Sequence, residues 1–135
     1  MTTTNGLPAA EKHGTGELRT DVEPLTRRFS VLEDPGEVAW MSGTYGDPDA
    51  PGPSTYWIDA VITLDADQAD TLTTAYSPQS TSENPAVVDG MRDQLPPGPF
   101  QTSAALDAAF NEGDWWATAY LDPQASQLVL VATGT

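Results

Sequence analysis

The segment Ser54–Leu64, STYWIDAVITL, carries the strongest strand pattern in this chain of 135 residues. It is rich in aromatic and β-branched residues and contains neither Gly nor Pro, which is typical of strands. Successive side chains of a strand point to opposite sides of a sheet, so alternate positions form two faces. One face is entirely apolar and is expected to meet a layer of helices: Tyr56, Ile58, Ala60, Ile62 and Leu64.

The flanking sequence predicts a sheet built from two hairpins. Glu37–Tyr45 is expected to be the first strand, joined to that segment by a Gly- and Pro-rich loop at 46–53. Trp115–Leu121 and Gln127–Thr133 are expected to form a closing hairpin around a short turn. Two such hairpins predict one four-stranded antiparallel sheet.

Three helices are expected between the hairpins. Asp65–Tyr76 begins with Asp65 and Gln68 at the spacing of a capping box. Asn84–Leu95 has a capping Asn followed by Pro, and the third helix, after Thr102 or Ser103, is expected to end at Gly113. The order β-β-α-α-α-β-β predicts an α+β fold with the helices on one face of the sheet.

The chain divides near residue 30. Residues 1–30 contain few large apolar side chains, so they are expected to form a flexible or peripheral N-terminal arm. Residues 31–135 are expected to form a single acidic α+β domain. The arm holds four basic and four acidic residues, so the whole net charge of -15 belongs to the domain.

The charge excludes some partners and favours others. With 5 basic against 20 acidic residues, direct binding to nucleic acid or anionic lipid is disfavoured, because those surfaces need clustered Lys and Arg. A basic protein is the expected partner. The chain contains no Cys, which excludes disulfides and zinc–thiolate sites. Its abundance of Ala, Thr and Pro is typical of a GC-rich bacterium.

Localisation is read from the first residues. Met1–Ala10 has neither the basic region nor the apolar region of a secretory signal, and no apolar run is long enough to span a membrane. A cytoplasmic protein is therefore the default expectation. A Thr-, Gly- and Pro-rich arm is equally what the tether of an exported domain would look like.

The sequence predicts no catalytic residue, cofactor or metal site. The nucleophile-elbow, P-loop, dinucleotide and zinc-protease patterns are absent. His13 is the single His, which disfavours Ser-His-Asp chemistry. The pattern beginning at Asp65 with Asp67 and Asp70 resembles a calcium loop, but Asp70 stands where an EF-hand needs Gly. Helix capping explains these residues better.

The second face of the sheet supplies the predicted binding residues. If Tyr45 pairs with Ser54, then Trp40 lies opposite Asp59 and shares a face with Trp57. The expected site is completed from the closing hairpin, and its members are Trp40, Trp57, Asp59, Trp116 and Tyr120. The alternative is that the arm, or a second copy in a homodimer, covers these aromatic side chains.

Three classes of function stay open from the sequence. The favoured one is a non-catalytic protein-binding module, an inhibitor, immunity or accessory protein, that uses its acidic body and the aromatic sheet face. In its sharpest form, carboxylates would occupy the phosphate positions of a partner's nucleic-acid site. The alternatives are a small-molecule-binding domain with a Trp/Tyr hollow and a small carboxylate-dependent hydrolase, for which no acid/base pair is evident.

Overall fold

Four helices and seven strands are present in the described part of the chain. The computed structural model describes residues 12–13, 18–29, 32, 36–45, 56–82, 85–111 and 115–134. The elements are β1 Lys12–His13, α1 Glu23–Arg28, β2 Val38–Tyr45, β3 Tyr56–Thr63, α2 Ala66–Tyr76, β4 Gln79–Thr81, α3 Asp89–Arg92, β5 Phe100–Thr102, α4 Ala104–Ala109, β6 Trp115–Asp122 and β7 Gln127–Gly134. None of the described helices has the length and apolar composition of a membrane span.

All strands lie in one antiparallel sheet with the order β1-β2-β3-β7-β6-β5-β4. The α+β class and the antiparallel sheet are confirmed, but a sheet of four strands is wrong. The two predicted hairpins meet through β3 and β7, from Tyr56 opposite Gly134 to Thr63 opposite Gln127. The strands added at the two edges have only two or three residues each. Such short strands show no alternating pattern of apolar residues. They form because they pair with neighbouring strands.

The prediction that the helices lie on one face only is also wrong, because both faces of the sheet are covered. One face carries α1, α2 and α4 and holds the larger core cluster, which includes Ile58, Ala60 and Ile62 as expected. Segment 85–100, which contains α3, packs on the opposite face with Trp57 and Val61. Six consecutive residues of β3, from position 57 to position 62, are buried. A central strand with both faces buried needs a covering layer on each side.

The second predicted helix is much shorter than expected. Helix α3 spans only Asp89–Arg92, and Val88 before it is extended, with φ -65° and ψ 158°. The buried carboxylate of Asp59 on β3 accepts a hydrogen bond of 2.8 Å from the backbone N–H of Val88. This contact holds the chain extended against the sheet, and it lets Val87 pack into the cluster around Trp57. A tertiary hydrogen bond therefore overrides a good local helix start.

Residues 18–29 belong to the packed structure. Leu25 and Phe29 of the α1 region are fully buried, and Arg19 forms a β-bridge with Trp40. The ring of Phe29 meets the rings of Phe110 and Trp115 edge to face. These contacts make Leu25 and Phe29 part of the larger core cluster. The division of the chain at residue 30 stays a prediction.

Helix α4 completes the hydrogen bonding of β6 where β5 ends. Asp107 Oδ1 accepts from the N–H of Ala119 at 2.9 Å, and Asn111 Oδ1 accepts from the N–H of Ala117 at 2.7 Å. Four residues of helix rise about 6 Å and two residues of strand about 6.6 Å, so the two spacings match. Side chains of the α4 region thus stand in for a missing neighbouring strand.

Asp107 is expected to give the chain a specific pH dependence. Burial raises the pKa of its carboxyl above the usual 3.8, although the hydrogen bond from Ala119 opposes this. The folded chain therefore keeps this proton to higher pH than the unfolded chain does, and the contribution to stability falls as pH rises from about 3.8 through the folded pKa.

The variant Asp107→Asn keeps the acceptor oxygen and removes the charge. We expect the free energy of unfolding of the variant, minus that of the unaltered chain, to increase as pH rises from about 3.8 through the folded pKa of Asp107. Above that pH the difference should stay constant. Urea unfolding of both chains from about pH 3 to about pH 8 measures the difference. A difference that does not change with pH would contradict the prediction.

Candidate functional site

The sheet register separates Trp40 from the other predicted binding residues. Trp40 lies opposite Ala60, and Met41, not Trp40, lies opposite Asp59. The expected register was wrong by one residue, and a shift of one residue moves every side chain of a strand to the other face. Trp57, Asp59, Trp116 and Tyr120 do share a face, as the register across β7 places Trp116 and Trp57 on either side of Thr133.

Trp40 is buried beneath the segment that precedes α1. Its side chain is 3% exposed, and its indole N–H donates to the carbonyl oxygen of Asp21 at 2.9 Å. The guanidinium carbon of Arg19 lies 4.2 Å from the centre of the Trp40 ring. This placement makes Trp40 a core residue that anchors residues 19–21 to the sheet.

Three other predicted residues lie beneath segment 85–100. Trp57 and Asp59 are fully buried, and Asp59 accepts the hydrogen bond from Val88 described above. Tyr120 is buried and meets the ring of Phe100 edge to face at 6.0 Å between centres. Where the sequence suggests an open Trp/Tyr hollow, these described side chains are covered by protein.

Trp116 differs, because 71% of it is exposed. Its cross-strand neighbour Thr133 and the adjacent Thr118 are partly buried and lie on the same face. We call Trp116, Thr118 and Thr133 the Trp116 surface. Of the five predicted binding residues, Trp116 alone can reach a large ligand without movement of the described chain.

A second feature, which the sequence did not reveal, is a cleft of about 270 Å³ beside α2. We call it the α2 cleft. Its floor consists of apolar and aromatic side chains, and its rim consists mainly of polar side chains of α2. The floor residues are Leu32, Leu64, Leu72, Tyr76 and Phe110, and the rim residues are Asp65, Asp67, Gln68, Thr71 and Ala75.

Local sequence positions the rim of the α2 cleft. Asp65 Oδ1 accepts from the N–H of Gln68 at 2.7 Å, and Gln68 Oε1 accepts from the N–H of Asp65 at 3.0 Å. This reciprocal pair is the predicted capping box, and it fixes the start of α2. Asp67, Thr71 and Ala75 follow at intervals of four residues, so they line one side of the helix. Their short side chains leave space above the floor.

The rim is negatively charged, and none of its described residues is basic. Asp65, Asp67 and Asp70 are exposed, and no described residue forms an ion pair with any of them. A more open hollow on the outer side of α2 includes Asp70 and shares Asp67 with the cleft. These carboxylates therefore extend a negative field over the cleft and across the helix.

The described arginines of the N-terminal segment are engaged elsewhere. Arg19 pairs with Asp21, and this hydrogen bond lowers the pKa of Asp21 below its usual value. Arg27 pairs with Glu23 on α1. The guanidinium carbon of Arg28 lies 5.0 Å from the centre of the Trp115 ring. None of these three arginines pairs with a carboxylate of α2.

In the ranges that the structure describes, no three His, Cys, Asp or Glu residues come together as a group that could hold a metal ion. Asp65 uses its side chain to cap α2, as the sequence suggests.

Comparison with known proteins returned no match, whether to a family model, to a curated protein or to a solved structure. Two candidate sites are present in the described part of the chain. They are the α2 cleft, with an apolar floor and an acidic rim, and the Trp116 surface.

Proposed function

We propose that this chain is a non-catalytic protein-binding module, an inhibitor, immunity or accessory protein, whose acidic surface binds a basic protein. The observation that carries the proposal is the set of exposed carboxylates on α2, which have no described ion pair and border an apolar cleft. Apolar area supplies affinity at an interface, and complementary charge supplies association rate and specificity.

The net charge of -15 supports the same partner class. A polyanionic surface repels nucleic acid and anionic lipid and attracts a protein rich in Lys and Arg. A net charge this large also opposes self-association at low salt.

The Trp116 surface supports a second contact, and a homodimer through it is the second candidate. Trp116 is 71% exposed, and Trp is one of the residue types enriched at the energetic centres of protein interfaces. Sedimentation equilibrium of the chain alone, with and without the variant Trp116→Ser, separates the two uses. A dimer that the variant abolishes would assign Trp116 to self-association, and a monomer leaves it for the protein partner.

Charge reversal on α2 is expected to weaken binding of a basic peptide. The probe is a synthetic peptide that repeats the unit Lys-Lys-Ala. It is titrated into the full chain, and its binding is measured by calorimetry. Asp67→Lys should weaken binding about three- to tenfold, because one attraction is replaced by a repulsion. Raising salt from about 20 mM to about 200 mM should weaken it further, because the screening length shortens.

Asp93→Lys is the matched control. Asp93 is exposed and follows α3 on the opposite face of the sheet, and its reversal changes the net charge by the same amount. We expect this variant to bind the peptide nearly as the unaltered chain does. Equal losses in the two variants would mean that binding follows net charge and has no site at α2, which would overturn the proposal.

A further inference from the structure

We propose that the α2 cleft receives one large apolar side chain of the partner, flanked on both sides in its sequence by Lys or Arg. This inference rests on the proposed function and specifies the segment that the acidic surface recognises. Three observations support it: the size of the cleft, the apolar character of its floor and the negative charge of its rim.

The cleft is large enough to hold one large side chain. Its volume is about 270 Å³. Sites for drug-sized molecules and cofactors commonly measure about 300–1,000 Å³ and enclose most of the ligand. A single aromatic or long aliphatic side chain attached to a peptide needs less space, and it can enter from one side.

The floor is suited to an apolar group. Leu32, Leu64 and Leu72 are 6–8% exposed, so each shows a small part of its surface at the bottom of the cleft. Phe110, at the end of α4, is fully buried and closes the floor from below, while Tyr76 is partly buried at one side. An apolar side chain that enters would exclude water from these apolar groups.

The rim determines the sign of the flanking charges. Asp67 and Asp70 carry carboxylates without a hydrogen bond or ion pair to any described residue. They can accept hydrogen bonds from Lys or Arg with no loss of existing contacts. Asp67, Thr71 and Ala75 line both the cleft and the hollow beyond it, which also includes Asp70. A peptide that crosses α2 with its apolar side chain in the cleft can therefore place a basic residue near each carboxylate.

The test compares three synthetic pentapeptides on the isotopically labelled full chain. They are Lys-Lys-Trp-Lys-Lys, Lys-Lys-Ala-Lys-Lys and Glu-Glu-Trp-Glu-Glu, and binding is followed by NMR titration. We expect the first to bind at least about tenfold more tightly than the second, because only it buries a large apolar side chain. The third should not bind. The largest shifts should come from residues 64–76 and Phe110.

Filling the cleft provides the decisive variants. Thr71→Trp places a large side chain at the rim, and Thr74→Trp places the same side chain in the outer hollow as a control. Both positions are exposed on α2, so both chains are expected to fold. Thr71→Trp should abolish the advantage of the Trp peptide over the Ala peptide, and Thr74→Trp should retain it. Ala75→Leu, which also narrows the cleft, repeats the test with a good helix former.

The outcomes distinguish this inference from the function on which it rests. Equal affinity of the two Lys peptides, with Asp67→Lys still weakening both, would overturn the inference and leave the basic-partner proposal standing. Retention of the Trp advantage in both Thr71→Trp and Ala75→Leu would also overturn it. If neither Lys peptide bound, or if the Glu peptide bound equally well, both proposals would fall.

Discussion

Replacing Phe29 by Ala is expected to lower the free energy of unfolding by about 3–5 kcal/mol. Phe29 is fully buried and contacts two aromatic rings, at 6.0 Å from the centre of Phe110 and 6.3 Å from that of Trp115. Truncation removes both the buried apolar area and these edge-to-face contacts, and the surrounding side chains relax only in part. Urea unfolding monitored by circular dichroism measures the loss.

Leu18→Ala provides the control within the same segment. Leu18 is 42% exposed, so its truncation should change the free energy of unfolding by less than about 1 kcal/mol. An unchanged urea midpoint in Phe29→Ala would contradict the structure. It would mean that residues 18–29 act only as a flexible tether. A large loss would mean that a chain lacking this segment lacks part of its core.

Trp57→Ala is expected to cost a similar amount, about 3–5 kcal/mol, while Trp116→Ala should change stability by no more than about 0.5 kcal/mol. The two residues form a matched pair, because they lie on the same face of the sheet with only Thr133 between them. They differ in solvent exposure, since Trp57 is fully buried and Trp116 is 71% exposed.

The same urea measurement tests this pair. Equal losses would show that Trp116 is covered as Trp57 is, which would remove the Trp116 surface as a binding site. The expected contrast also has a practical use, because a folded Trp116→Ala chain permits its binding defects to be interpreted. Any binding defect of Trp57→Ala would instead be attributed to unfolding.

Local sequence is a sound guide to the elements that local interactions stabilise. Helix α2 was expected at 65–76 and is found at Ala66–Tyr76, with the capping box between Asp65 and Gln68 in place. Strands β3, β6 and β7 lie close to their expected bounds. Capping bonds span three residues and strand alternation spans two, so both patterns are visible without tertiary information.

The register of β2 could not be predicted, because local sequence fits either alignment. Both faces of β3 are buried from position 57 to position 62, so either alignment places side chains of β2 beside buried residues of β3. The packing of residues 19–21 on Trp40 agrees with the observed alignment. The prediction that five binding residues share one face depended on this register. Because the observed register differs by one residue, Trp40 lies on the other face.

The sequence by itself determined the α+β class, the antiparallel pairing of the two hairpins, the start of α2 and the acidic character of the surface. Each of these depends on periodicity, capping or net charge, which are properties of neighbouring residues or of composition. Tertiary structure alone decided which aromatic side chains are buried and where the α2 cleft lies. Leu32, Leu72 and Phe110 come from separate segments and meet only when α2 and α4 pack on the same face of the sheet. Burial and concavity are properties of the space between elements, and no local pattern encodes them.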